Sequence, residues 1–367
     1  MISSEGVCEL IQKNREGRPV VGCFPLYPPV ELFESFGFLP VVLWNLKRSI
    51  KNLETSDRHI QPYACGIARE LVQFAISERE TLDAIFFYNA CDTLRNLPEI
   101  LELPHDPAQE SWPVFRLHLP QVDRTQCNPL GYLENEVVRL IKEVENVCGQ
   151  RFSPDRFLTT TEKYKVMRGL CTEAEDLVAQ GRLGFELFCQ TVLAGCASGV
   201  DAQIERLERL VFEARPEEVS TEKKRVVVSG IMPPRPSVIG AMEASGLCVV
   251  ANDIASLKRS YGFSPEPSRS PETYYDALYS RHVPCTTLLH TSDERVETLV
   301  EMVSRSRAQG VIFCGEKFCE HEYFEFPYVK KRLSEMGIST LFLEFSVDDD
   351  QLAAAHATRV EAFAEMM

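Results

Sequence analysis

Short apolar runs alternate with amphipathic stretches through the first third of the chain. Buried strands are predicted for four of these runs: RPVVGCF (18–24), LPVVLWN (39–45), DAIFFYNA (83–90) and PVFRLHLP (113–120). The stretches between them repeat apolar residues at helical spacing, which predicts helices over 28–37, 67–82 and 92–103. Because strands and helices alternate, the pattern predicts a doubly wound parallel sheet.

The same order of elements returns in the last third of the chain. Strands are predicted over 225–231, 247–253, 310–315 and 339–346, and helices over 236–246, 295–310 and 324–337. Two segments align between the halves, ESFGFLPVV (34–42) with EASGLCVV (243–250) and AIFFYNA (84–90) with GVIFCGE (310–316). The first alignment places Glu34 on Glu243 and Gly37 on Gly246. We infer an internal duplication that gives two similar α/β domains.

The segment between the two halves carries apolar residues at three- and four-residue spacing, which predicts a bridging layer of helices. The predicted organisation is therefore an N-terminal α/β domain (1–130), a helical bridging segment (131–220) and a C-terminal α/β domain (221–367). Four cysteines of the bridging segment lie among large apolar residues and are expected to be packing residues: Cys148, Cys171, Cys189 and Cys196.

Charge and cysteine content limit the classes of function that the protein can have. The 367 residues carry a net charge of −15, which disfavours binding to nucleic acid or to an anionic membrane surface. The 13 cysteines cannot all pair with one another, and the N-terminal stretch has no apolar core of signal-peptide length. No run reaches the roughly 18 apolar residues of a membrane span. We therefore expect a cytoplasmic protein whose thiols are mostly free.

Three cysteines occupy one kind of position in the predicted elements. Cys91 and Cys319 each follow a strand and precede a helix, and Cys65 also opens a helix. Ligands of open α/β sheets bind outside the carboxyl ends of the strands, and a helix N-terminus favours a thiolate. We therefore expect these three thiols to face one another between the two domains.

Converging thiolates would hold either an iron–sulfur cluster or zinc, which are the ions that prefer soft ligands. The sequence contains no CxxC pair and no ferredoxin-like cysteine run. Ligands would therefore come singly from distant segments. Spacing alone leaves three interpretations open: a cluster at the domain interface, a zinc site, or unrelated packing cysteines.

Several ordered motifs resemble the 2-hydroxyacyl-CoA dehydratase family, which also includes subunits of ATP-dependent benzoyl-CoA reductase. They are PPVELFESFGFLPVVLW, YNACDT (88–93), VVANDIASLKR (249–259), VPC (283–285), GVIFCGEKFC, KFCEHEYFEFP (317–327) and the terminal TRVEAFAEMM. The likeness covers nearly the whole chain, and the order and spacing of the motifs are more specific than any one of them.

The resemblance implies two flavodoxin- or Rossmann-like domains with a [4Fe-4S] cluster between them. By motif, the cluster ligands would be Cys65, Cys91 and Cys319, which leaves one iron for water, a thiol or substrate. The resemblance also implies a paralogous second subunit or a homodimer, and a separate ATP-hydrolysing iron–sulfur activator. The implied reaction removes water from a 2-hydroxyacyl-CoA through a ketyl radical.

The sequence departs from a related subfamily that carries a double-cubane cluster. Pro25 stands where that subfamily would have a cysteine, although Cys23 is close, and another such position falls in NDIA (252–255). These departures disfavour the double-cubane interpretation. Cys285 is the counterpart of Cys65 in the internal repeat but is left out of the ligand set, and Cys314 lies inside an apolar strand and is expected in the core.

Three further residues are candidates for catalytic roles. His321 follows Cys319 and is either a proton donor or a solvated loop residue. Tyr27 and Glu31 lie in the first strand-to-helix loop, and Glu31 could equally complement the helix dipole. The chain has no GxGxxG or GxxxxGK[ST] loop, so we expect no bound NAD and no ATPase activity in this chain.

Three functional hypotheses of different class follow. The first is a cluster-bearing subunit of a 2-hydroxyacyl-CoA dehydratase, or of a benzoyl-CoA-reductase-like or double-cubane-type reductase. The second is a non-catalytic electron-transfer or structural subunit that pairs with a substrate-binding paralogue. The third is a cluster-free protein whose two lobes close on a small molecule.

Overall fold

The described residues form two four-stranded parallel sheets with the same strand order. The computed structural model describes residues 6–44, 46–102, 112–121, 130–214, 223–288, 291–347 and 353–367. The first sheet has the order β2-β1-β3-β4, with strands β1 (Val20–Cys23), β2 (Leu39–Val42), β3 (Ala84–Tyr88) and β4 (Val114–Leu117). The second has the order β6-β5-β7-β8, with strands β5 (Lys224–Gly230), β6 (Leu247–Ile254), β7 (Gly310–Glu316) and β8 (Ser339–Phe345).

Helices of the first lobe surround the first sheet, and a bridging layer follows them in the chain. The first lobe has helices α1 (Val7–Asn14), α2 (Val30–Ser35), α3 (Gly66–Ser77) and α4 (Asp92–Glu102). The bridging layer has helices α5 (Leu130–Cys148), α6 (Pro154–Ala179), α7 (Phe185–Ala194) and α8 (Val200–Glu213). The second half has helices α9 (Pro236–Ala244), α10 (Lys258–Tyr261), α11 (Pro271–Ser280), α12 (Ser292–Arg305), α13 (Glu320–Glu335) and α14 (Ala353–Met366).

The structure confirms the predicted α/β class with two Rossmann-like sheets. Each predicted strand and helix of the two halves is present, although the ends of several differ by a few residues. The sequence patterns did not single out α1, α10, α11 or α14. The domain limits remain predictions, and the limit at 220/221 lies outside the described residues.

The internal repeat is visible in the backbone where two matched helices end. Gly37 follows α2 with φ of 90°, and Gly246 follows α9 with φ of 73°. Side chains disfavour this left-handed conformation, so glycine is the residue that closes both helices cleanly. The aligned glycines therefore occupy equivalent turns in the two halves.

The two lobes share one hydrophobic core. Its cluster of buried residues includes Val20 and Phe86 of the first sheet, Phe157 of α6, and Val228 and Ile312 of the second sheet. Helix α6 contacts both α2 and β6, and α11 of the second half packs on α5. A second, smaller cluster lies within the second lobe. Among the described residues, no helix is long and apolar enough to cross a membrane.

Candidate functional site

Each of the three predicted site cysteines lies at the N-terminus of a helix. Cys65 is the N-cap residue of α3, and Cys319 is the N-cap residue of α13. Cys91 directly precedes α4, and its Sγ accepts a hydrogen bond of 3.4 Å from the backbone N–H of Leu94. The first-turn N–H groups of the three helices therefore point toward the thiols, as the sequence predicted.

The structure also brings the three thiols together across the two lobes. Burial raises the pKa of Cys65, and the charge of Cys91 raises it further. Burial likewise raises the pKa of Cys319, with contributions from the charges of Glu322, Cys65 and Cys91. Two contacts place the three cysteine segments side by side, although Cys319 is separated from the other two by most of the sequence. The N–H of Gly66, which follows Cys65, donates to Glu316, three residues before Cys319, and Cys91 lines one cavity with Glu320, which follows Cys319.

The helix N-termini alone do not make these thiols ionise. Backbone N–H groups lower the pKa of each thiol, but burial outweighs them, and the net pKa of Cys65, Cys91 and Cys319 is raised. The helix N-termini therefore favour the thiolates as expected, but burial acts against them more strongly. A bound cationic group would favour them, because a coordinating thiol is deprotonated outright.

The three thiols are the kind of soft donor that an iron–sulfur cluster takes. Within the described ranges, no group of three or more His, Cys, Asp or Glu side chains is arranged to hold a metal ion, and the twelve cysteines there are free. A cluster takes its thiolates on different irons, so its ligands need not converge on one point as zinc ligands do. Three neighbouring soft donors with aligned N–H groups suit that arrangement.

A strained turn sets the position of Cys319. Phe318 has φ of 64°, a left-handed conformation that is uncommon for a bulky residue. The turn is closed by a 3.0 Å hydrogen bond from the Cys319 N–H to the carbonyl of Glu316, the last residue of β7. Such backbone strain is often found at functional sites, where surrounding contacts maintain it.

A cavity of about 490 Å³ opens beside Cys91 and carries an acidic rim. Its wall includes Asp92, Asp293 and Glu320, and Arg95 there is already paired with Asp92 at 3.4 Å. His321 lines the same cavity, and burial lowers its pKa, so its imidazole is neutral at pH 7. Thr286 lies in the same wall.

Tyr27 lines a smaller cavity of about 130 Å³ between the lobes. Its ring centroid lies 3.9 Å from that of His282, and Arg168 lies in the same wall. The Tyr27 hydroxyl faces the thiol of Cys285 but makes no hydrogen bond of normal geometry among the described residues. Tyr27 is thus a wall residue of this cavity.

Glu31 is fully buried in a polar network that joins three helices. Its carboxylate pairs with Arg168 of α6 and accepts hydrogen bonds from the hydroxyls of Tyr274 (3.0 Å) and Tyr275 (3.3 Å) on α11. These contacts account for its burial, because a buried carboxylate needs charged and hydrogen-bonding partners.

Cys285 lies in a separate buried polar group. Its Sγ accepts a hydrogen bond of 3.3 Å from Nη1 of Arg259, which itself pairs with Asp253 at 3.0 Å. Burial alone would raise the pKa of Cys285, but the charge of Arg259 and the hydroxyl of Thr287, 3.4 Å from its Sγ, lower it. The sequence analysis missed Arg259, because no local spacing links it to Cys285.

The remaining cysteine predictions concern packing. Cys314 is buried in β7, as predicted. Of the four bridging-layer cysteines, Cys171 and Cys189 are buried, whereas Cys148 and Cys196 are half-buried. Cys148 and Cys196 nevertheless pack against the main core cluster, so all four follow the packing prediction.

The fold and the site together define a class of protein: two Rossmann-like lobes whose facing edges bring together thiols from both. The model of the family 2-hydroxyglutaryl-CoA dehydratase, D-component, matches residues 25–367. The chain belongs to this family, which confirms the resemblance found in the sequence motifs.

Curated relatives match over nearly their full length at low identity. The chain is 26% identical to the beta subunit of (R)-2-hydroxyglutaryl-CoA dehydratase from Acidaminococcus fermentans, covering 100% of this chain and 97% of the relative. It is 24% identical to the beta subunit of (R)-phenyllactyl-CoA dehydratase from Clostridium sporogenes, covering 97% of this chain and 94% of the relative. It is 22% identical to one of the subunits of benzoyl-CoA reductase from Thauera aromatica, covering 91% of this chain and 87% of the relative.

Proposed function

We propose that this chain is the iron–sulfur subunit of an ATP-activator-dependent 2-hydroxyacyl-CoA dehydratase. The observation that carries the proposal is the meeting of Cys65, Cys91 and Cys319 at three helix N-termini. Family membership supports the same assignment. We place the protein in a reducing cytoplasm, which would keep the described cysteines free, as they are in the structure.

In this proposal, Cys65, Cys91 and Cys319 hold a [4Fe-4S] cluster. Bound there, the cluster would supply one-electron chemistry at low potential and one iron without a protein ligand. The chain's own residues orient the thiols through the first turns of α3, α4 and α13. Both lobes bury the thiols in part, which limits the access of water to them.

The proposed overall reaction removes the 2-hydroxyl group and a β-proton of the acyl group as water and gives an enoyl-CoA. The thioester gains one electron, forms a ketyl radical and returns the electron, so substrate and product are at the same oxidation level. A separate ATP-hydrolysing iron–sulfur activator would deliver the first electron, because the sequence of this chain has no phosphate-binding loop. A paralogous subunit is the proposed partner, since the relatives are named as subunits.

A second candidate is an electron-relay subunit that does not bind substrate. The acidic rim of the cavity beside Cys91 favours it, because Asp92, Asp293 and Glu320 would repel the phosphates of coenzyme A. Acyl-CoA binding to the isolated chain separates the two candidates. Saturable binding of phenyllactyl-CoA or 2-hydroxyglutaryl-CoA would support the substrate-binding subunit, and its absence beside an iron-loaded chain would support the relay.

The iron content of the purified protein tests whether it holds the proposed cluster. Anaerobically purified protein is expected to contain about four irons per chain and to be brown, since all irons belong to one cluster. Cys65→Ser and Cys319→Ser each remove one soft ligand and are expected to lose most of that iron. Cys248→Ser is the matched control, because Cys248 is also half-buried but lies in β6. An iron-free, colourless wild-type protein would overturn the proposal.

A further inference from the structure

Glu316 contacts the segments of both Cys65 and Cys319. It is the last residue of β7, in the second lobe, and its side chain is fully buried. Its Oε1 accepts a hydrogen bond of 3.1 Å from the backbone N–H of Gly66. Gly66 is the first residue of α3, in the first lobe, and directly follows Cys65. One carboxylate therefore crosses between the lobes and binds the helix N-terminus that carries Cys65.

Other contacts fix this carboxylate on its own lobe. The hydroxyl of Ser346 donates to Oε1 at 3.1 Å, and the backbone N–H of Val347 donates to Oε2 at 3.2 Å. Both residues lie directly after β8, the strand that pairs with β7. The carboxylate is therefore held in one orientation, and rotation away from Gly66 would break these contacts as well.

The main chain of Glu316 is bonded to the segment of Cys319. The Cys319 N–H donates to the carbonyl of Glu316 at 3.0 Å. The N–H of Glu316 donates to the carboxylate of Glu322, in the first turn of α13, at 2.9 Å. The backbone of Glu316 thus fixes the start of α13, while its side chain fixes the start of α3.

We propose that Glu316 is the positioning residue that sets the separation of the Cys65 and Cys319 thiols across the two lobes. The inference rests on the proposed function, because the purpose of that separation is to hold the cluster. It goes beyond that function by assigning a role to a residue that is not a ligand. Groups that orient ligands typically change metal affinity about 10- to 100-fold when they are removed.

Three substitutions of Glu316 distinguish loss of its contact with Gly66 from a general loss of stability. Glu316→Ala removes the acceptor and leaves the buried Gly66 N–H without its partner, which is costly. Glu316→Asp keeps the charge but shortens the side chain by one methylene, so it cannot bind Gly66 and Val347 as before. Glu316→Gln keeps the length and one acceptor oxygen. Glu175→Gln is the control, because Glu175 is a buried carboxylate on α6 whose partners are Lys258 and Asn252.

The experiment measures iron retained against a chelator and the EPR spectrum of the reduced protein, after anaerobic reconstitution of each full-length variant. Glu316→Ala and Glu316→Asp are expected to lose iron about 10-fold more readily than wild type and to show altered EPR g-values. Glu316→Gln is expected to rescue retention, and Glu175→Gln to match wild type in both measurements. Wild-type retention and g-values in Glu316→Ala would overturn the inference, and so would equal losses in Glu316→Ala and Glu175→Gln.

A second measurement distinguishes failure of this inference from failure of the proposed function. In iron-free protein, alkylation of Cys65 by iodoacetamide is followed by mass spectrometry. Release of the start of α3 in Glu316→Ala is expected to speed alkylation of Cys65 at least severalfold, with Cys171 as the internal reference. A wild-type chain that binds no iron would overturn the proposed function. An unchanged alkylation rate in Glu316→Ala would overturn the positioning role.

Discussion

Glu31 shows how a single buried residue can depend on distant partners. From its sequence position it was a candidate either for a catalytic role or for a charge that complements the dipole of α2. The structure instead pairs it with Arg168 of α6 and with the hydroxyls of Tyr274 and Tyr275 on α11. These partners lie far along the chain, so no local pattern could have predicted them. The same holds for Arg259 beside Cys285 and for Glu316 beside Gly66.

Replacing Arg168 with methionine tests the importance of that ion pair. Arg168→Met leaves the Glu31 carboxylate buried without its cation, which is expected to cost about 3–5 kcal/mol of unfolding free energy. Urea denaturation followed by circular dichroism measures the loss. The control is Arg269→Met, whose pair with Asp155 is mostly exposed and is expected to contribute less than about 1 kcal/mol. Equal effects of the two substitutions would contradict the prediction.

At the scale of elements, the sequence predicted those strands and helices that show a local apolar pattern. The buried parallel strands are continuous apolar runs, and the helices between them show a regular apolar period, so both were found. Helix α11 was missed although it carries a start signal. Ser270 caps it by accepting a hydrogen bond from the Thr273 N–H, and Pro271 is its first residue. Its buried tyrosines depend on the packing of other helices, which the sequence pattern does not encode.

Two glycines at helix α9 are expected to respond oppositely to alanine. Gly246 has φ of 73° and open space around its Cα, so Gly246→Ala is expected to cost about 1–2 kcal/mol through backbone strain alone. Gly240 lies inside the helix, is exposed and has no neighbour within 4 Å of an added Cβ. Gly240→Ala is therefore expected to stabilise by up to about 1 kcal/mol. The midpoint of thermal unfolding measures the effect of each substitution. Midpoint shifts of the same sign in the two variants would contradict this pair of expectations.

At the scale of the whole molecule, the shared core couples the lobes. Both tryptophans, Trp44 and Trp112, lie in the first lobe, beside β2 and β4. Leu333 lies in the small hydrophobic cluster that is confined to the second lobe, and it is fully buried. Tryptophan fluorescence therefore reports on the first lobe after a change in the second.

Leu333→Ala is expected to destabilise both lobes together by about 2–5 kcal/mol, the usual cost of such a cavity. The urea midpoints from tryptophan fluorescence and from circular dichroism should shift by the same amount, because a cooperative unit unfolds in one transition. Leu187→Ala, at a partly exposed position of α7, should shift neither by more than about 0.5 kcal/mol. A fluorescence midpoint that stays unchanged in Leu333→Ala would show that the lobes unfold independently.

Sequence reasoning located the candidate site only in part, and the missing part is a property of the whole molecule. The rule that ligands bind at strand ends predicted the local position of Cys91 and Cys319, and the helix that begins after Cys65 pointed to the third thiol. Their meeting depends on how the lobes pack through α6 and α11, which involves contacts between residues far apart in sequence. The sequence pattern could suggest that the three thiols meet but could not show it.

The order in which the thiols appear along the chain has a consequence for protein synthesis. Residues 65 and 91 belong to the first lobe, which is made first, whereas Cys319 comes more than 200 residues after Cys91. Translation at about 5–20 residues per second separates them by on the order of ten seconds or more. A nascent chain therefore presents two of the thiols well before the third, so a group held by all three could be loaded only after Cys319 has been made.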